Sequence, residues 1–194
     1  VSNGRIERIL ASRNTHGIRL FACRDMVIEE NVSSANAQGS GLDVLGSSNV
    51  LARGNTLAGN MVGINLDGAA DTLVHHNNVL SNDLQAIDQR GGPNAWDDGY
   101  PGGGNYWTNY QGIDQCSGPG QDQCTGPDGF GDTPYLVGPD NNLDRYPLMI
   151  LPGSESDTVP PTVAITSPFN GAVFTTVPII VRGAAADVGS GVRR

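Results

Sequence analysis

The sequence predicts an all-β protein whose chain winds into a right-handed parallel β-helix of about four coils. Three observations favour this fold: a repeat of about 22 residues, apolar residues that alternate with polar ones within each repeat, and asparagines at fixed places in each repeat. A repeat of this length with strand and turn content fits one solenoid coil per repeat. Abundant glycine and asparagine suit a fold with many tight turns.

The alternating pattern predicts one strand of each coil. The repeated segments begin at Gly17, Gly41, Gly63 and Gln85, which are 24, 22 and 22 residues apart. After each of the three glycines the pattern is apolar, polar, apolar, which is the period of a half-buried strand. The inward positions are Ile18, Leu42 and Ile64, then Leu20, Val44 and Leu66; the outward ones are Arg19, Asp43 and Asn65.

Asparagines recur in two columns, which we expect to lie at the turns. The first column is Asn31, Asn55 and Asn77; the second is Asn14, Asn36, Asn60 and Asn82. Stacked coils place each asparagine about 4.8 Å from the next, so that the amides form a hydrogen-bonded ladder. Short β-rich segments starting at Met26, Val50 and Thr72 supply a further strand. The framework of a leucine-rich repeat and the apolar spacing of a helical repeat are both absent from the sequence.

A closing block of motifs follows the repeats. It comprises Gln85–Asp88, Trp96, Gly103–Trp107, Asp128–Tyr135 and Asp144–Met149. With the repeats, this block resembles the NosD-type and related carbohydrate-binding and sugar-hydrolysis β-helix family over roughly residues 5–150. The resemblance implies that the block, about residues 91–150, caps the solenoid. NosD proper is associated with copper-site maturation, but Cys23 aligns with Ser47 and Ala69 as a small corner residue, and the sequence offers no copper site.

The sequence predicts three regions: a capped β-helix over 1–150, a linker over 151–161 and a β-rich tail over 162–194. The linker is rich in Pro, Ser and Gly. The tail resembles the opening of bacterial Ig-like domains, including the stretch Asp187–Val192. Because about 35 residues are too few for a seven-stranded sandwich, we expect an incomplete domain in a fragment of a larger multidomain chain. A natural short hairpin is the alternative.

Charge and cysteine content narrow the functional classes. The formal net charge is −9 and lysine is absent, which argues against nucleic acid or anionic lipid as a partner. No apolar run reaches the length of a membrane span. Cys116 and Cys124 flank a short Gly/Pro/Gln segment and predict a disulfide, hence an extracytoplasmic location (secreted, cell-surface or periplasmic). The alternative is two free thiols in a cytosolic protein.

Calcium is a candidate ligand of the segment 114–132. Asp122, Asp128 and Asp132 lie in a Gly-rich stretch that offers the oxygen ligands that Ca²⁺ takes. The regular Asp-x-Asp-x-Asp-Gly spacing is missing. In the alternative interpretation, Asp128 and Asp132 cap turns through hydrogen bonds to the backbone.

Two carboxylates, Asp43 and Asp67, form a candidate catalytic pair. Diagonal neighbours on a sheet lie roughly 7–8 Å apart, within the ~6.5–9.5 Å window of an inverting glycosidase. Solvated surface carboxylates are the alternative. A lyase would need a base and a cation near a uronate, for which Arg19 and Arg53 are candidates. His75 and His76 are expected on opposite faces of a strand, and with His16 they form no recognisable metal triad.

Candidate carbohydrate contacts are Arg19 and Asn65 on the outward row and Tyr100 and Tyr110 in the aromatic block, where we expect the tyrosines to be exposed. Trp107 is instead expected to cover the open end of the core. Three functional hypotheses remain. The favoured one is a module that binds a polysaccharide or cell-surface glycan. The others are part of a polysaccharide hydrolase, lyase or epimerase, and a non-catalytic spacer or adhesin-like solenoid.

Overall fold

A computed structural model of the protein describes residues 1–138, 142–152, 162–167 and 182–186. The chain divides into two units, Val1–Pro152 and Gly153–Arg194. In the described part of the chain no helix is long and apolar enough to cross a membrane.

The first unit begins with four coils of three strands each. Coil one holds β1 (Ser2–Glu7), β2 (Leu10–Ser12) and β3 (Ile18–Phe21). Coil two holds β4 (Arg24–Glu29), β5 (Val32–Ser34) and β6 (Ser40–Leu45). Coil three holds β7 (Ser48–Arg53), β8 (Thr56–Ala58) and β9 (Val62–Asp67), and coil four holds β10 (Leu73–His75), β11 (Asn78–Leu80) and β12 (Leu84–Gln89).

Corresponding strands of successive coils pair in parallel and build three sheets. Sheet A contains β1, β4, β7 and β10; sheet B contains β2, β5, β8 and β11; sheet C contains β3, β6, β9 and β12. In sheet C, Leu42 pairs with Ile18 on one side and Ile64 on the other, which is the register expected from the repeat. The inward residues of the repeat are buried in one continuous core. The predicted alternation and the parallel β-helix are therefore confirmed.

Both predicted asparagine ladders are present. The side-chain amide nitrogen of Asn31 donates to the amide oxygen of Asn55 at 2.9 Å, and Asn55 donates to Asn77 at 2.9 Å. The amide oxygens also accept backbone N–H groups at the turns, as from Asn31 to Asn55. In the second ladder Asn36 donates to Asn60 at 2.9 Å. Buried polar groups of the turns are thus satisfied by the next coil.

In the first three coils, the glycine that opens the sheet C segment leaves space for the second ladder. A β-carbon at Gly63 would lie 2.8 Å from the amide nitrogen of Asn82 and 2.4 Å from the carbonyl oxygen of Gln85. At the fourth coil this position is Gln85, whose side-chain oxygen accepts from Asn82 at 2.9 Å. The ladder amide therefore donates to Gln85 in the last coil.

Residues after the fourth coil cover the open end of the core. Strand β13 (Tyr106–Trp107) pairs with β11, and a hairpin of β14 (Tyr135–Val137) and β15 (Asn142–Asp144) follows. Trp107 is 2% exposed and its ring stacks on Tyr135 with centroids 4.3 Å apart. The expectation that Trp107 closes the core is confirmed.

Buried carboxylates anchor this covering layer. Asp88 replaces the inward leucine of the preceding coil and accepts the indole N–H of Trp96 at 2.8 Å. Asp97 is buried and pairs with the exposed guanidinium of Arg145, whose Nε donates to it at 3.0 Å. At the Asp88 position a polar side chain thus stands at the end of the solenoid where the two preceding coils carry Leu66 and Val44.

In the second unit, β16 (Thr162–Ser167) and β17 (Arg182–Ala186) form an antiparallel pair. The linker from residue 153 onward and the stretch Asp187–Val192 lie outside the described residues. The Ig-like assignment of the tail stays a prediction.

Candidate functional site

The outward row of sheet C is a closed ionic network. Asp43 accepts from Arg19 Nε at 3.0 Å and from the amide of Asn65 at 3.1 Å, and its carboxylate lies 2.9 Å from Nδ1 of His16. Asp43 is only 1% exposed. The structure thus brings Arg19 and Asn65 together, as expected, and both side chains donate hydrogen bonds to Asp43.

Asp43 is held in its ionised form. Burial alone would raise the pKa of Asp43, but hydrogen bonds from Ser40, Asn65 and Arg19 outweigh it and lower the pKa below its ordinary value. A general acid needs a raised pKa. Asp67, the other candidate, accepts a hydrogen bond from Arg90 and remains partly exposed. Each carboxylate is thus paired with its own arginine, and their catalytic role stays a prediction.

The loop 114–132 is clamped and internally hydrogen-bonded. A disulfide joins Cys116 to Cys124, as the sequence predicts. Asp132 accepts the N–H of Cys116 at 3.0 Å, and Asp128 accepts the N–H of Phe130 at 3.2 Å. These bonds match the turn-capping alternative.

Asp122 is exposed in the same loop. Within the described residues, no three side chains of His, Cys, Asp or Glu are grouped closely enough to hold a metal ion. Calcium binding by Asp122, Asp128 and Asp132 stays a prediction.

The two candidate tyrosines differ in exposure. Tyr100 is 36% exposed and packs edge-on against Phe130. Tyr110 is partly buried against the core, and its hydroxyl donates to the carbonyl oxygen of Thr133 at 2.6 Å. The expectation of an exposed Tyr110 is wrong, because its ring packs beside the cap glycines Gly112 and Gly131.

A groove lies where the fourth coil meets the cap. This coil–cap groove has a volume of about 350 Å³ and is lined by residues 81–86, 108, 109, 135, 136 and 138. Leu84 and Leu136 expose apolar surface along it, at 47% and 56%. The Tyr135 hydroxyl donates to Asn109 at 3.1 Å. Among the described residues, no side-chain partner binds the exposed carboxylate of Asp83.

A second cavity, of about 340 Å³, lies on the outer side of sheet A at the turn into sheet B. This histidine cleft is lined by Glu29, Glu30, Arg53, Gly54, His75 and His76. Glu29, Arg53 and His75 occupy the same position on successive coils. Glu29 pairs with Arg5 and with Arg53, the latter at 2.8 Å, so its charge is matched.

His75 and His76 converge in this cleft. Their Nδ1 atoms lie 2.7 Å apart and the rings meet edge to face. The expectation of opposite faces is wrong, because β10 ends at His75 and His76 has a left-handed backbone with φ of 53°. Burial, His76 and Arg53 lower the pKa of His75 below its ordinary value. The lowered pKa favours the neutral form of the His75 ring.

Sequence reasoning missed both cavities. The coil–cap groove joins residues more than 50 positions apart, and no repeat position marks it. One sequence feature could have indicated the histidine cleft. Each asparagine of the first column directly follows one residue of the turn, at positions 30, 54 and 76, and position 8 holds the same place before Ile9 in the first coil. All four have positive φ, so the turn that redirects His76 recurs in every coil.

Comparison with known proteins supports the fold. Residues 1–91 match a family model described as a right handed beta helix region. Searches of curated proteins and of solved structures found no match. The matched residues end just after β12, at the boundary between the fourth coil and the cap. The match and the stacked parallel strands together confirm the predicted all-β fold: the coils of this chain form a right-handed parallel β-helix.

Proposed function

We propose that residues 1–152 form an extracytoplasmic module that binds carbohydrate, such as a cell-surface polysaccharide, in the coil–cap groove. The observation that carries the proposal is the combination of exposed apolar and unpaired polar groups in one concave surface. A pyranose presents C–H faces and hydroxyl edges, so it needs both kinds of contact.

The groove residues match these two needs. Leu84 and Leu136 offer apolar surface, and the phenol of Tyr135 offers an aromatic body with a polar tip. Asp83 supplies a carboxylate acceptor, and Asn109 supplies amide hydrogens, since only its oxygen is engaged by Tyr135. A few placed polar groups in a largely apolar concave site are typical of small-ligand recognition.

The site rests on a rigid support. Thr108 donates to the carbonyl oxygen of Val79 at 3.1 Å and accepts the N–H of Ser81 at 3.1 Å. Tyr135 is held by its stacking on buried Trp107. Ordered side chains lose little conformational entropy when a ligand binds.

The proposal also covers the cellular compartment of the protein and the larger chain to which it belongs. The disulfide between Cys116 and Cys124 supports an oxidising, extracytoplasmic compartment. The NosD-like closing motifs support a carbohydrate-related role, and we include the Ig-like tail as part of a multidomain surface protein. The ion pairs of Asp43 and Asp67 favour binding over glycoside hydrolysis. A protein that acts only as a spacer would not need an unpaired carboxylate in a groove.

An array of neutral and acidic glycans tests the proposal, followed by calorimetric titration of any oligosaccharide that binds. We expect Asp83→Ala and Asn109→Ala each to weaken binding about tenfold, the effect of one lost polar contact of about 1.4 kcal/mol. Asp122→Ala, which removes an exposed carboxylate outside the groove, is the matched control. Absence of binding across the array, or equal losses in the control, would contradict the proposal.

A further inference from the structure

The histidine cleft carries a second inference, independent of the coil–cap groove. We propose that His75 and His76 form a chelating site for a late first-row divalent cation, with Zn²⁺ as the representative ion. The basis is the approach of two imidazole Nδ1 atoms to 2.7 Å in a solvent-connected cleft.

The separation of the two nitrogens is close to a chelate bite. Zn–N bonds of imidazole ligands are about 2.0–2.1 Å. Two such bonds at a right angle place the nitrogens about 2.9 Å apart, and a tetrahedral angle places them about 3.4 Å apart. Metal binding replaces the hydrogen bond between the two Nδ1 atoms: the ring that donates it changes to the Nε2–H tautomer, and a small ring rotation widens the pair from 2.7 Å. Partly exposed His76 has room for that rotation.

The turn geometry fixes both rings near one point. The left-handed backbone of His76 brings its ring to the side of His75. The N–H of His76 donates to the carbonyl oxygen of Gly104 at 2.6 Å, which ties this turn to the cap. Gly54 precedes His76 in the column and adds no side chain to the cleft. A preorganised pair avoids the entropy of assembling ligands.

Charges around the pair permit a cation. The guanidinium of Arg53 acts electrostatically on His75, and its charge is reduced by the carboxylate of Glu29 at 2.8 Å, which Arg5 shares. Glu30 lies in the cleft lining and is paired with Arg8 at 3.0 Å. Asp98 acts electrostatically on His75 from the cap and raises its affinity for positive charge. No third ligating side chain joins the pair within the described part of the chain. Water therefore completes the coordination, which leaves positions open for an exogenous ligand.

Calorimetric titration of the full chain with a zinc salt, in a buffer that does not bind metals, tests the site. We expect one equivalent to bind and His76→Asn to weaken binding at least tenfold. Asparagine tolerates the left-handed backbone at this position, so the variant keeps its fold, which a thermal melt checks. His16→Asn, at the other end of the solenoid, is the control and retains binding.

A second readout reports ligation directly. The ¹⁵N resonances of the His75 and His76 rings should shift on zinc addition while those of His16 do not. Undiminished binding by the His76→Asn variant would overturn the proposal, as would unchanged His75 and His76 resonances at millimolar zinc. Both measurements are independent of glycan binding.

Discussion

Asn105 donates its backbone N–H to the buried carboxylate of Asp144 at 2.7 Å, 39 residues further along the chain. The amide oxygen of the same asparagine accepts from Asn77 at 2.9 Å, so Asn105 is the last rung of the first ladder. The indole N–H of Trp107 also donates to Asp144, at 2.8 Å. One carboxylate therefore joins the ladder, the capping tryptophan and the closing hairpin.

The first prediction concerns the ionisation of Asp144. Burial raises its pKa to about 7, although N–H groups of Asn105, Trp107 and Tyr146 oppose the shift. Between pH ~4 and ~7 the folded state then holds a proton that the unfolded state has lost, so stability falls as pH rises through this range. A shift of three units corresponds to a loss of about 4 kcal/mol at most.

Asp144→Asn isolates this contribution. The variant should lack that part of the slope of unfolding free energy against pH, measured by urea denaturation from pH 4 to 8. Parallel slopes for both proteins would show that Asp144 ionises normally in the fold.

The second prediction concerns the first asparagine ladder. Asn77→Ala removes the acceptor of two donors of Asn55, its backbone N–H at 3.0 Å and its amide at 2.9 Å. The amide of Asn55 keeps the carbonyl oxygens of Ile28 and Arg53 as acceptors, so its backbone N–H is the donor left unpaired. A buried donor left unpaired costs about 1–3 kcal/mol, so we expect a loss of about 2 kcal/mol. Asn109→Ala, at an exposed position, should cost less than about 1 kcal/mol in the same denaturation experiment. Equal losses would contradict a special role of the ladder.

The third prediction separates steric from conformational roles of glycine. Gly63→Ala places a β-carbon against the carbonyl oxygen of Gln85 and should cost about 3 kcal/mol. Gly59 has a φ of 61°, and a β-carbon added there would have no atom within 4 Å. Gly59→Ala should therefore cost only the strain of the left-handed backbone, about 1 kcal/mol. Thermal melts of both variants test the order; a reversed order would show that the coils shift to accept the methyl group.

The fourth prediction concerns Asp43. Because hydrogen bonds lower its pKa in the folded state, Asp43 contributes stability above its ordinary value of 3.8, and that contribution is lost as pH falls through the lower folded pKa. We expect Asp43→Asn to cost about 2 kcal/mol at pH 7. The difference from the unaltered protein should shrink on acidification. A constant difference would mean that packing, rather than charge, explains the loss.

The repeat made the coils predictable from sequence. Gly41 and Gly63 mark the start of sheet C segments, and Asn55 and Asn77 mark a turn. These residues recur because equivalent positions in successive coils have the same packing neighbours and hydrogen-bond partners. The repeat did not predict Asn105 as part of the ladder, because 28 residues separate it from Asn77, whereas 22 separate Asn77 from Asn55.

The candidate sites were less predictable, because they depend on contacts outside the repeat. Asp43 is buried and contacts Arg19 and His16, which alternation alone does not indicate. His76 turns toward His75 through one backbone angle. Asp83 and Tyr135 meet in a groove only after the cap has folded onto the fourth coil.

The most direct test of the proposed function is a titration of ¹⁵N-labelled protein with a glycan that binds on the array, followed by amide NMR spectra. Binding in the coil–cap groove predicts that the largest shift changes fall at Asp83, Leu84, Asn109 and Leu136. Amides at the outer face of sheet A, such as Leu51, should stay unchanged. Largest changes on sheet A or on the outward row of sheet C, with the groove unaffected, would contradict the account.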